Sequence, residues 1–283
     1  MINMREIDTS AIIEAVAGLC RRANYELGDD VLKTLEKAQQ FEESPSGREV
    51  LSLLIENAHI AAKGQRPLCQ DCGSAIVFLE VGQDVHIIGN LIDAMTEGVR
   101  RGYTKNYLRQ SMVGQPFSAR LNTGDNTPPV IHTEIVPGDK LKISLMAKGS
   151  GAENMSRLAM LKPGAGAEGI IEEVAAAVAA AGGSPCPPLI IGLGIGGTAE
   201  KAMFVAKKAL LRLLGQPNPD AEVAALEKRV LERVNALGIG PLGFGGSTTA
   251  LAVHAEVLPT HIASLPLAIN LQCHSARHKE AVL

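Results

Sequence analysis

The residues best suited to chemistry in this sequence are cysteines placed in loops. Cys69 and Cys72 frame the segment Cys69-Gln70-Asp71-Cys72-Gly73, just ahead of the apolar run Ile76-Val77-Phe78-Leu79. Three chemistries fit such a pair: a redox couple, half of a zinc knuckle, or one metal ligand beside a bystander. A structural zinc site usually takes a second close pair of ligands, and the sequence has none. A thioredoxin-like pair opens a helix, whose N-terminus lowers the thiol pKa, whereas this pair precedes a strand. Both of those readings lose ground.

Cys186 lies in Gly182-Gly183-Ser184-Pro185-Cys186-Pro187-Pro188, and Cys273 in Leu271-Gln272-Cys273-His274-Ser275-Ala276-Arg277. Each sits at a strand–loop junction, where functional groups concentrate. Each alone reads as readily as a buried structural thiol. Cys20 follows Leu19 in a helical pattern and reads as a small buried hydrophobe. Three loop cysteines far apart in sequence do not make a zinc finger, but they can converge on one cluster. A [4Fe–4S] cube held by three thiolates leaves one iron without a protein ligand. An open metal position separates a catalytic site from a closed structural one. Such an iron can serve as a Lewis acid toward a hydroxyl and a carboxylate.

The elements that must position these residues follow from periodicity and caps. Asp8-Thr9-Ser10 caps a helix over 11–25, Asp29-Asp30 precede a second, and Ser44-Pro45 opens a third that stops near Gly64. Beyond Arg66-Pro67 the character changes: 74–81, 130–136 and 140–147 read as strands, with a helix over 91–103. Pro137-Gly138-Asp139 predicts that the second and third of these strands form a hairpin. The remainder alternates: a helix over 167–181, a strand over 188–193, helices over 198–214 and 220–237, then strands over 248–257 and 262–271. No internal repeat and no low-complexity segment is visible. The fold class expected is mixed α/β (α+β): a helical N-terminal portion followed by a mixed-sheet region. One domain over residues 1–283 is expected, with room for two lobes divided near the glycine-rich stretch 149–166.

Composition bounds the function. The chain has 283 residues, 46% hydrophobic and 20% charged, a net charge of −3, only 3% aromatics and no Trp. An acidic balance argues against nucleic acid, whose phosphates call for a basic patch. No apolar run is long enough for a membrane span. The N-terminal residues carry no signal pattern, so a cytoplasmic, reducing location is expected, where cysteines stay out of disulfides.

At these residues the sequence resembles the class I, iron–sulfur-dependent fumarate hydratase and L-tartrate dehydratase family. The resemblance is carried by Cys69-Gln70-Asp71, by Lys148-Gly149-Ser150-Gly151-Ala152-Glu153-Asn154, by 181–188, by Leu237-Gly238-Ile239-Gly240, by His261 and by Cys273, in the family's order. It implies that Cys69, Cys186 and Cys273 hold a [4Fe–4S] cluster as cofactor. Gln70 and Asp71 match residues that contact the substrate, and Arg109 matches an arginine that pairs with a substrate carboxylate. Gly149 and Gly151 belong to a loop that approaches the substrate through its backbone. His261 matches a histidine near the active site, so Asp71 and His261 are the expected acid–base residues. The family usually has Thr where this chain has Cys72, which leaves open whether Cys72 is a spare thiol or tunes the cluster.

The chemistry of the residues agrees with those roles: a dicarboxylate favours a planar, bidentate cation, hence Arg over Lys. The expected activity is an oxygen-sensitive hydro-lyase α subunit, with fumarate/malate as first substrate and L-tartrate or mesaconate as alternatives. Cys273 lies ten residues from the end of the sequence, leaving little chain to cover a cluster there. With the resemblance, this leads to the expectation of a separate β subunit in an α2β2 heterotetramer.

Two rival classes remain. Gly192-Leu193-Gly194-Ile195-Gly196-Gly197 contains a G-x-G-x-x-G between strand and helix, as in NAD-dependent dehydrogenases. The acidic strand end expected about 20 residues further on is missing, because Asn218-Pro219-Asp220 opens another helix. These glycines then serve close strand–helix packing or a helix N-terminus aimed at an anion. The other rival is a metal- or redox-sensing module built on Cys69 and Cys72.

Overall fold

The computed structural model describes residues 4–283. The chain opens with β1 (Arg5–Asp8), α1 (Thr9–Tyr25), α2 (Asp29–Phe41), α3 (Pro45–Gly64), β2 (Ser74–Gly82), β3 (Val85–Ile88) and α4 (Leu91–Lys105). It continues through β4 (Val130–Val136), β5 (Leu141–Lys148), the single turn α5 (Ser150–Glu153), β6 (Arg157–Leu161) and α6 (Gly166–Ala181). Last come β7 (Leu189–Gly196), α7 (Ala199–Ala209), α8 (Ala221–Asn235), β8 (Ala250–Leu258), β9 (Leu265–Gln272) and β10 (His278–Val282). The fold is mixed α/β. No helix among the described residues is long and apolar enough to cross a membrane.

The chain divides into two compact units. The first comprises the described residues up to Leu27, Ile60–Ser150 and Arg277–Leu283; the second comprises Gly28–His59 and Gly151–Ala276. In the first, the sheet order is β10-β5-β2-β4, with β4 parallel and β5 antiparallel to the central β2. Helix α1 is capped by the Asp8 carboxylate, which accepts from the Ser10 amide at 2.7 Å. It buries Ile12, Val16, Leu19, Cys20 and Ala23, a helical stripe, against the same core as α4 and the sheet. Burying Ile12, Val16 and Leu19 contributes about 1.5–3 kcal/mol each.

In the second unit the order is β6-β9-β7-β8, with β8 parallel and β9 antiparallel to the central β7. All eight residues of β7 are buried, and α6 and α8 share its core. The two sheets thus follow one plan: a central strand, a parallel partner, an antiparallel partner, and a fourth strand outside the latter. The fourth strand of each unit follows the third strand of the other in sequence, since β6 follows β5 and β10 follows β9.

The expected 130–147 hairpin is not formed. β4 and β5 lie on opposite edges of β2, and the turn between them passes over its end, where Gly82 donates to Lys140 O at 2.8 Å and Asp84 to Gly138 O at 2.9 Å. The physical reason is the burial of β2, whose run Ala75–Leu79 is inaccessible. A strand buried on both faces needs partners on both edges. The helix expected over 198–214 ends at Ala209. The sequence reading also missed β1, β3, β6 and β10, short strands that are largely exposed and carry no strong alternation.

Candidate active site

In the first unit the chemistry-bearing residues gather where the chain enters β2. Cys69 is half-buried and its thiol donates to the Gln70 side chain at 3.4 Å. Asp71 folds back: its Oδ1 accepts from the Gly73 amide at 3.0 Å, and its Oδ2 from the Ser150 amide and hydroxyl at 2.8 and 3.1 Å. Burial raises the Asp71 pKa, but these bonds and the nearby Arg277 guanidinium outweigh it and hold the carboxyl below its ordinary value. The carboxylate is therefore held ionised and fixed in place by these donors. Gly149 packs closely against this group: a Cβ there would lie 3.3 Å from Asp71 Oδ2 and 3.2 Å from Arg277 Nη2, tighter than an ordinary contact.

Cys72 faces the other way, into the core. Burial pushes its thiol pKa up. Its sulfur accepts the Arg109 amide at 3.2 Å. This fixes the backbone of Arg109, whose side chain is exposed, beside the turn that carries Gln70 and Asp71.

In the second unit, Cys186 and Cys273 come together at one end of the sheet. Cys186 enters β7 and Cys273 leaves β9, whose Gln272 pairs with Ile190. Cys186 O accepts from the His274 amide at 3.3 Å and lies 3.1 Å from its Nδ1. Cys186 is exposed and takes φ +57°, a left-handed conformation costly for a residue with a Cβ. A Cβ on Gly151 would lie 3.0 Å from Ser184 O in the same loop.

The structure does not bring His261 to that end. His261 precedes β9 and Cys273 follows it, and eight extended residues span roughly 26 Å. His261 is exposed and its Nδ1 accepts the Ala263 amide at 3.1 Å. It lines a separate cleft of about 650 Å³ with Thr198, Lys201, Met160 and Pro259.

Two buried residues that hydrogen-bond to this turn, Arg277 and Tyr103, were not singled out from the sequence. Arg277 is only 1% exposed and donates to the Asp71 carbonyl at 2.5 Å. Tyr103 shares its hydroxyl between the Cys72 and Gly73 carbonyls at 2.8 and 3.1 Å. The one available signal was the placement of Arg277 four residues after Cys273. Tyr103 reads as ordinary helix core.

None of the five cysteines is in a disulfide. Among the described residues, no three His, Cys, Asp or Glu side chains form a group able to hold a metal ion. The donor chemistry of Cys69, Cys186 and Cys273 nevertheless fits an iron–sulfur cluster. All three are soft thiols in loops at strand ends, and Cys186 holds a strained backbone to present its side chain.

The chain is similar to known proteins over most of its length. The family model described as Fumarate hydratase (Fumerase) matches residues 13–282. A Methanocaldococcus jannaschii protein provisionally named L(+)-tartrate dehydratase subunit alpha is 44% identical over 273 residues, covering 94% of this chain and 95% of its own. Proteins named L(+)-tartrate dehydratase subunit alpha from Escherichia coli strains UTI89 and K12 are 31% and 30% identical over 270 residues, covering 94% of this chain and 88% of theirs.

Proposed function

The chain belongs to the fumarate hydratase family, and from that premise we propose that it is the cluster-carrying α subunit of a [4Fe–4S] hydro-lyase acting on a small dicarboxylate. The observation that carries the reading is the division among the thiols. Cys20 and Cys72 are sealed in the core, whereas Cys69, Cys186 and Cys273 stand in loops beside polar groups. In this reading those three hold the cluster, which supplies a Lewis acid for the departing or entering hydroxyl.

The chain's own residues do the rest. Arg109 presents a planar guanidinium to one substrate carboxylate. Gln70 orients the substrate from the exposed side of the turn. Asp71, held ionised, accepts a hydrogen bond or a proton from the reacting hydroxyl. Gly149 and Gly151 keep the backbone bare for a close approach. His261 is proposed to stand outside this constellation.

Two substrates fit the same chemistry. Fumarate/malate follows from the sequence resemblance, and L(+)-tartrate is favoured by the names of the relatives. They share the two carboxylates and the eliminated water and differ in one hydroxyl. Mesaconate adds only a methyl group, worth about 1–3 kcal/mol of discrimination. The relatives' designation as α subunits favours a separate β chain, proposed as α2β2, in the reducing cytoplasm. The test is to assemble the complex without oxygen and assay malate, L(+)-tartrate and mesaconate. Turnover of one or more is expected. A brown, correctly assembled complex that turns over none of them would sink the reading.

A further inference from the structure

Arg277 is among the largest fully buried side chains of the described residues. A buried guanidinium is expensive unless its donors are used. Here Nη1 donates to the Asp71 carbonyl at 2.5 Å and to Asn24 Oδ1 at 3.2 Å, while the inaccessible Nε has no partner. No carboxylate forms an ion pair with it among the described residues. An apolar side chain of similar volume often packs in such a place at no greater cost, so the partners of its donors point to what the guanidinium is for.

Its surroundings show what it holds. Asn24 receives the Leu68 amide on its own carbonyl at 2.8 Å, so Asn24 and Arg277 together grip the chain on both sides of Cys69 and Gln70. Tyr103 and Asn126 take the carbonyls that follow, Asn126 donating to Gly73 O at 3.0 Å. Arg277 Nη2 lies under Gly149, in the loop whose Ser150 binds the Asp71 carboxylate. The Arg277 carbonyl accepts the Ala147 amide at 2.8 Å, which ties its own backbone to β5.

We infer that Arg277 is a positioning residue: it clamps the Cys69–Gly73 turn to the Gly149–Ser150 loop, setting the geometry of Gln70 and Asp71 without touching substrate. The inference rests on the proposed reading of that turn as the substrate-contacting one. A misplacement of about 1 Å at such a turn can cost about 100-fold in rate.

The experiment has two readouts. In the chain without cluster, amide hydrogen exchange is followed in peptides covering 66–75 and 148–156. Arg277→Met is expected to speed exchange at least about tenfold in those two peptides and to leave those from β7, β8 and β9 unchanged. Arg277→Lys, which keeps a charged donor, should restore part of the protection, and it serves alone if the Met variant does not fold. In the α–β complex, Arg277→Met should lower kcat about 100-fold with the cluster spectrum intact. Unchanged exchange at 66–75, or loosening spread evenly over β2, β4, β5 and α4, would overturn the clamp. A complex inactive on every dicarboxylate would remove the hydro-lyase reading instead, and the exchange pattern would still decide the role of Arg277.

Discussion

A thiol binds metal as the thiolate, so burial decides which of these cysteines can serve. Burial pushes Cys20 up to about 12 and raises Cys72, whereas Cys186 is exposed and Cys69 and Cys273 are half-buried. Alkylation of the cluster-free chain should therefore modify Cys186 first and Cys20 and Cys72 last, as read by peptide mass spectrometry. Replacing Cys69, Cys186 or Cys273 by Ser should each abolish the brown chromophore, while Cys20→Ala should leave it. A Cys186→Ser protein with a full cluster and normal turnover would end the three-ligand assignment. Arg109→Lys keeps charge but not the planar fork, so kcat/KM should fall about 10–100-fold (about 1.4–2.7 kcal/mol) with an unaltered cluster spectrum. His261→Gln should leave kcat within a few-fold, given the length of β9 between it and Cys273. A hundredfold loss there would return His261 to the site.

In the second unit, close packing and buried carboxylates, Glu42 among them, hold the elements in place. Gly192 and Gly194 let α7 lie directly on β7: a Cβ on either would come within 2.0 Å of a helix carbonyl, that of Ala206 or Ala202. Gly194→Ala should thus destabilise the chain by about 1–3 kcal/mol in denaturant. Gly164→Ala, with nothing within 4 Å of a new Cβ, should change stability by less than about 0.5 kcal/mol. A neutral Gly194→Ala would reopen a ligand-binding role for the glycine run. Glu42, 1% exposed, ends α2 and accepts from the Ser44, Ser247 and Thr248 amides and the Ser247 hydroxyl. Burial raises its pKa, yet those bonds outweigh it and bring the value from 4.5 down to about 2. A depressed folded pKa contributes stability that is present above pH 4.5 and lost as pH falls toward 2, here up to about 3 kcal/mol. Glu42→Gln should be less stable than the parent at neutral pH, and the two should converge on acidification. Curves that stay parallel down to pH 2 would refute this role for Glu42.

At the scale of the whole molecule the question is what completes the site. A dianionic substrate asks for two cationic contacts, and within the first unit Arg109 is exposed while the buried Arg277 is engaged beneath the turn. In the proposed reading, a β chain supplies the partner for a second substrate carboxylate and a dry environment for electrostatic stabilisation. The lone chain with a reconstituted cluster should be inactive and should gain activity on mixing with its β partner. Activity of the complex should decay in air and return with ferrous iron and a reductant, since an iron without a thiolate is the one most easily lost. Full turnover by the lone chain, or indifference to oxygen and chelators, would contradict this organisation.

The sequence alone determined the helices, the long strands and the residue types of the site. Apolar stripes, caps such as Asp8 and turn prolines are local signals, and the order Cys69, Cys186, Cys273 with Gln70 and Asp71 was specific enough to point to one family. The tertiary structure alone decided which strands pair. The turn 137–139 looked like a hairpin, yet β2 lies between its arms, because pairing depends on which strand is buried on both faces and not on the turn itself. For the same reason the common plan of the two sheets leaves no visible repeat in the residues: strand order is set by pairing, which many apolar sequences satisfy. The strand expected over 262–271 already set His261 a strand's length from Cys273, but only the folded chain placed Cys72 in the core and Arg277 beneath the Cys69–Gly73 turn. Those facts depend on contacts between residues far apart in sequence, such as Arg277 and Asn24, and no local pattern carries them.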